Sequence, residues 1–187
     1  VLWSSYAQRP HFFVRFFLSH GWKVLWVDPY PSRLPRLRDF SRSWSLHQQG
    51  TELEPGLEVL RPGGLPIEPL PGGAAVNDFL FWRHAMKRIK KIVGNGPTVL
   101  GVGKPSQLAL NVIQDFKFIS SFFDAMDDFP EFHTGLSKRS MKNLEMRLSA
   151  RVDNIFVSSH NLEEKFIHYS EKVHRILNGF HPDGIPN

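Results

Sequence analysis

The chain has 187 residues, 41% hydrophobic and 22% charged, with 23 Lys and Arg against 18 Asp and Glu for a net charge of +5. That suits one sizeable domain of ordinary globular composition and excludes two. The absence of cysteine excludes disulfides and thiolate metal sites and fits a reducing compartment. The positive balance favours anionic partners: phosphate-bearing substrates, an acidic membrane surface or, least favoured, nucleic acid. No apolar run reaches the roughly 18–20 residues of a membrane-spanning helix, and no signal-peptide pattern is present.

Short apolar runs alternate with helical patterns. Val1-Leu2-Trp3 reads as the remainder of a first strand, so the natural chain is expected to begin before Val1. Arg9 to His20 reads as a helix, with Phe12, Phe13, Phe16 and Phe17 as a core stripe and Gly21 as its stop. Val24 to Val27 is a second strand ending at Asp28-Pro29, and Leu57 to Leu60 a third. Between and after them, Pro29 to Pro55 and Arg61 to Gly73 are irregular, as binding loops and lids are. An amphipathic helix from Phe79 to Val93 stops at Gly94-Asn95-Gly96-Pro97, and a fourth strand, Thr98 to Val102, opens into Gly103-Lys104-Pro105-Ser106.

A helix from Ser106 to Ile113 then precedes a strand begun at Phe118. Leu136 to Val152 is a long basic helix and Asn154 to Val157 a sixth strand. Ser158-Ser159 reads as the N-cap of a helix over Asn161 to Tyr169, and His174 to Leu177 as the last strand before Asn178-Gly179. The alternation predicts an α/β, Rossmann-like, doubly wound and mainly parallel sheet with helices on both faces. Residues 1–177 form that domain, and 178–187 begin an interdomain linker.

The strand from Phe118 ends in Asp124-Ala125-Met126-Asp127-Asp128. Ligands of open parallel sheets bind outside the carboxyl ends of the strands. Adjacent carboxylates raise one another's pKa, so Asp124, Asp127 and Asp128 are candidates for a general base and the group that orients it, with most weight on Asp127. A helix cap with surface charge fits the same residues. Arg9 and His11 stand where a strand hands over to a helix, and backbone N–H groups there favour anions.

Gly103 and Lys104 are candidate cleft residues, but their segment is no P-loop: Thr98 stands where its first Gly belongs and Pro105 follows the Lys. His133 is a candidate for acceptor contact, or a solvated loop histidine. The nine histidines show no metal-ligand spacing, and no metal is expected. Basic residues gather at Arg33, Arg36, Arg38 and Arg42 beside Trp44, and at Lys87, Arg88, Lys90 and Lys91. A third group comprises Lys138, Arg139, Lys142, Arg147 and Arg151. Such clusters suit an anionic membrane surface or, equally, solvated helix faces.

Four motifs in order resemble the N-terminal, acceptor-side domain of GT-B glycosyltransferases that build bacterial surface polysaccharides. They are Gln8-Arg9-Pro10-His11, Asp124 to Asp128, Asp153-Asn154-Ile155-Phe156-Val157-Ser158-Ser159, and Ile176-Leu177-Asn178-Gly179-Phe180. The likeness spans nearly the whole chain. It implies an enzyme that moves a sugar from a nucleotide-sugar to a lipid-linked or polysaccharide acceptor, in the cytoplasm and peripheral to the inner membrane face. Arg9 and His11 would face the interdomain cleft, and Asp127 would be the base of an inverting enzyme; retaining or inverting chemistry stays open.

The 187 residues hold no counterpart of the family's donor-binding domain. This domain is therefore expected to bind no cofactor of its own and to be inactive alone. A non-catalytic module for an anionic glycan or lipid headgroup, bound through Arg9, His11 and the basic clusters, is the alternative. An epimerase of the same architecture is a third reading.

Overall fold

A computed structural model of the protein describes residues 2–5, 7–32, 34 and 50–178. Arg33, Arg36, Arg38, Arg42, Trp44 and Gly179 lie outside the described residues. Strands and helices alternate as the periodic runs predict, giving an α/β, Rossmann-like fold. In the first sheet, β1 (Val24–Val27) pairs in parallel with β3 (Leu57–Leu60), whose other edge carries antiparallel β2 (Gly50–Glu54). In the second, β4 (Val99–Val102), β5 (Ser120–Ala125), β6 (Asn154–Val157) and β7 (Val173–Arg175) are all parallel, in that order.

The period-two alternation of β1 explains how helices come to lie on both faces. Val24 and Trp26 pack with Val14 of α1 (Arg9–Ser19), Leu57 and Val59. Leu25 and Val27 turn the other way, toward Trp82, Ile89 and Tyr30. In the second sheet Phe123, Ala125, Ile155 and Val157 are sealed beneath α4 (Gln107–Asp115), α5 (Gly135–Ser149) and α6 (His160–Lys165). On its opposite face Phe13 of α1 meets Phe122 at 5.6 Å and Phe156 at 6.2 Å. α1 thus spans both sheets.

Local chemistry sets the helix ends. Gln8 and His11 form a reciprocal capping box at the start of α1, and Gly21, at φ 79°, supplies the left-handed residue after it. Ser106 Oγ accepts the Ala109 N–H at 3.2 Å, capping α4, and Ser159 Oγ accepts the Leu162 N–H at 3.3 Å, capping α6.

Several expectations are corrected. Leu2 to Ser5 make a turn and no strand, because the Trp3 N–H is taken by the Asp28 carboxylate at 2.8 Å. The stretch Pro29 to Pro55 contains β2, which among the described residues is an edge strand paired with β3 and whose sequence, Gly-Thr-Glu-Leu-Glu, carries no apolar run. The helix expected at Phe79 begins earlier, as α2 (Gly73–Asn77), a π-helical turn over Asp78–Trp82 and then α3 (Arg83–Val93).

The loop before it is pinned rather than open. The Asn77 amide bonds both backbone groups of Leu65, at 2.8 and 3.0 Å, and the Trp82 indole donates to the Gly63 carbonyl at 3.2 Å. The phenylalanine stripe divides: Phe12 and Phe16 are exposed while Phe13 packs inward. The last helix is shorter than expected and passes into a 3-10 stretch, Ile167–Lys172, so β7 begins at Val173. Finally, the single sheet expected is two hydrogen-bonded sheets, and the facing edges of β1 and β4 line one cavity of about 950 Å³.

Candidate functional site

The carboxyl ends of the strands bring the start of α1, Asp28 after β1, Gly103 after β4, Asp124 in β5 and Asn178 beyond β7 to one edge. Arg9 organises it. Its Nη2 pairs with Asp124 Oδ1, and its Nη1 donates to the Ile176 carbonyl at 2.6 Å and to Asn178 Oδ1 at 3.3 Å. The Arg9 side chain is 10% exposed and that of Asp124 2%, so the pair is withdrawn from water. Arg9 Nε and Asp124 Oδ2 have no hydrogen-bond partner among the described residues.

Burial pushes the Asp124 carboxyl above the usual carboxylate range, Arg9 opposes this, and the charge of Asp127 adds to the rise. Asp124 also lines the cavity between the sheets, with Asp28, Gly103 and Lys104. A Cβ added at Gly103 would lie 3.7 Å from Pro10, which shows how closely the end of β4 approaches the start of α1.

Asp127 is exposed, directly after this edge. Its loop is held by Ser158 Oγ, which donates to the Met126 carbonyl at 2.6 Å. Asp128 turns away to Lys165 at 2.7 Å, and Lys165 also meets the buried Glu145 at 2.6 Å. The Asp153 carboxylate accepts from both the backbone N–H and the hydroxyl of Ser121, at 2.7 Å each, joining the foot of β6 to β5.

His11 is buried. Its Nδ1 accepts the Gln8 N–H at 3.1 Å, its Nε2 lies 3.3 Å from the Trp3 carbonyl, and its ring sits between Trp3 and Trp26 with both centroids at 5.1 Å. Its nitrogens serve the fold. His133 is half-buried just past the 3-10 turn Phe129–Phe132, whose Pro130 carbonyl accepts its N–H at 3.1 Å. Lys87, Lys90 and Lys91 are exposed on α3, whereas Arg88 is bound by both oxygens of Glu58 and holds that carboxyl below its usual range.

Sequence reasoning missed three buried acids, Asp28, Glu68 and the Glu145 that Lys165 meets. Asp28 accepts from the Trp3 N–H and the Trp26 indole, each at 2.8 Å, and from Arg61 at 3.2 Å. An aspartate closing an apolar strand is the signal that marked Asp124 and applied here too. Glu68 accepts the Tyr30 hydroxyl, which itself accepts the Leu108 N–H at 3.3 Å near the start of α4. Burial raises the Glu68 carboxyl, and its bonds to Tyr30 and the Gln107 backbone and the charge of Lys104 act against this. Nothing in its Pro/Gly-rich loop announces that contact.

Among the described residues no group of three or more His, Asp or Glu is disposed to hold a metal ion, and no helix is long and apolar enough to cross a membrane. No protein-family model matches the chain, and no curated protein matches it significantly.

Proposed function

We propose that this domain is the acceptor-side half of a GT-B glycosyltransferase, which moves a sugar from a nucleotide-sugar donor to a lipid-linked or polysaccharide acceptor in bacterial surface polysaccharide synthesis. The observation that supports this best is the buried Arg9–Asp124 pair at the carboxyl edge, tied to Asn178 and followed at once by the exposed Asp127. Glycosyl transfer requires a base within hydrogen-bond reach of the acceptor hydroxyl that attacks the anomeric carbon.

Asp127 takes that role. Asp124 and Arg9 position its loop against the cleft, and Gly103 and Lys104 lie along the acceptor path. The donor belongs to a second domain beyond Asn178, so this domain alone binds acceptor and does not turn over. The natural protein, supplied with nucleotide-sugars and a bacterial lipid extract, is expected to transfer sugar, about a hundredfold to ten-thousandfold more slowly with Asp127→Asn. Undiminished transfer by that variant removes the base assignment, and no transfer from any nucleotide-sugar removes the enzyme.

A second reading is a non-catalytic module that docks on anionic lipid headgroups or glycans at the cytoplasmic membrane face. It is supported by the outer side of the helical stretch 73–93. Val76, Phe79 and Leu80 are 42%, 61% and 54% exposed there, and Arg83, Lys87, Lys90 and Lys91 follow on the same side. An apolar end joined to a basic one suits the headgroup layer.

A further inference from the structure

Central strands of a doubly wound sheet are buried on both faces. In β3 and β5 most residues are buried, but all four residues of β1 are only half-buried and Gly101 of β4 is exposed. Their backbone explains why. The Val24 N–H donates to the carbonyl of Gly56, just before β3, at 2.7 Å, and the Asp28 N–H to that of Leu60, at the end of β3, at 2.9 Å. Backbone groups alternate sides along a strand, so Leu25 and Val27 direct theirs away from β3.

On β4 the Thr98 carbonyl accepts the Ile119 N–H at 2.9 Å, so Thr98, Leu100 and Val102 face β5 while Val99 and Gly101 face away. The outward edges of both strands line the same cavity of about 950 Å³, whose walls include Phe13, Val14 and Phe17 of α1 and Ile89, Ile92 and Val112. Both edges are unpaired among the described residues, and the walls are mainly apolar, with Asp28, Lys104 and Asp124 at the carboxyl edge. Two unpaired parallel edges that face one another match an extended chain.

Trp3 fixes where that chain leaves the slot. Its N–H is held by Asp28 just past the end of β1, and its ring lies 5.3 Å from Trp26 and 5.1 Å from His11. Leu2 therefore stands at the carboxyl edge. From there the chain enters α1, which returns along the sheet and delivers β1. A strand in the slot, followed by α1 and β1, makes a parallel strand–helix–strand unit, the connection from which doubly wound sheets are built.

We propose that the slot between β1 and β4 is the seat of a parallel β-strand of the same polypeptide, about five apolar residues long and joined N-terminally to the Val1-Leu2 segment, which unites the two sheets. It hydrogen-bonds Leu25 and Val27 on one side and Val99 and Gly101 on the other. Its side chains are mainly apolar on both faces, to meet Val14 and Phe17 on one and Ile89 and Val112 on the other.

The test appends Thr-Val-Ile-Val-Ile to Val1, with Thr-Val-Pro-Val-Pro as control, and follows amide hydrogen exchange, thermal melting and mass in solution. The apolar extension is expected to slow exchange at all four of these amides at least about tenfold and to raise the melting temperature of a monomer, with no such change in the control. A parent chain that folds only when so extended supports the proposal equally. Unchanged exchange, slowing along one edge alone, equal slowing by the proline control, or an apolar-extended chain that stays unfolded overturns it. So does a parent chain that is already dimeric with both edges protected, which assigns the slot to a second copy.

Discussion

Arg9 and Asp124, 115 residues apart, meet in a buried ion pair that joins the first turn of α1 to β5. The same guanidinium holds the backbone beyond β7 through Ile176 and Asn178. Intact, such a pair adds little net stability, because desolvation offsets most of its attraction; broken, it leaves a buried charge alone. Arg9→Ala is therefore expected to cost about 3–5 kcal/mol in urea denaturation, whereas replacing both residues by Met and Leu recovers most of that. Equal losses in the single and double variants would show that the pair is not the source.

Glu68 gives a pH signature. Its carboxyl is raised in the folded state, chiefly by burial, so the native protein binds more protons than the unfolded chain. Its contribution is complete below the unfolded value of about 4.3 and is lost as pH rises through the folded value. Wild type should therefore lose stability relative to Glu68→Gln as pH rises from about 4 toward neutrality, read as the difference in melting temperature. A pH-independent difference contradicts the shift.

Two glycines separate backbone need from location. A Cβ at Gly73 would lie 1.9 Å from the Ile67 carbonyl oxygen, and backbone cannot swing aside as a side chain can. Gly73→Ala should cost about 3 kcal/mol. At Gly103 the nearest atom, on Pro10, is at an ordinary 3.7 Å, so Gly103→Ala should change stability by less than about 0.5 kcal/mol in the same titration.

What was legible in the sequence was local. Gly21 and the hydroxyls of Ser106 and Ser159 mark helix ends through bonds that span a few residues, and the apolar runs of β3, β5 and β6 report their own burial. What was not legible depends on distant partners. Asp124, Asp127 and Asp128 look alike in the chain, yet one is buried against Arg9, one faces solvent and one meets Lys165, and only the fold assigns these fates. β2 escaped notice because it lies at a sheet edge, where pairing does not require an apolar pattern. The break between the sheets escaped notice because β1 and β4 are as apolar as strands paired on both sides.

The exposed side of the 73–93 helical stretch predicts salt-sensitive membrane binding. Each basic residue near an anionic surface contributes about 1 kcal/mol. Reversing Lys87, Lys90 and Lys91 to Glu should thus weaken binding to phosphatidylserine vesicles by at least about a hundredfold at low salt, in co-sedimentation. Phe79→Ser should weaken it too, but without changing its salt dependence. Replacing Arg88 and Glu58 together by Ala should leave binding nearly unchanged, since the two side chains neutralise each other.

Lys165 is the sole cation bonded to the buried Glu145 among the described residues, and it carries Asp128 on its other side. Burial raises the Glu145 carboxyl, with Asp128 adding to the rise and Lys165 and Lys142 opposing it. Lys165→Met removes the main opposition and leaves a carboxylate that must be buried unpaired or take up a proton. The loss should approach about 3 kcal/mol at neutral pH, the low end for a broken buried pair. It should shrink in acid, where protonated Glu145 needs no partner, so the two denaturation curves converge toward pH 4 or so. A second change, Glu145→Gln, on top of Lys165→Met should remove the pH dependence of the loss. If the loss stays constant from acid to neutral pH, Lys165 acts through packing against Phe166, whose ring centre lies 5.3 Å away, and not through charge.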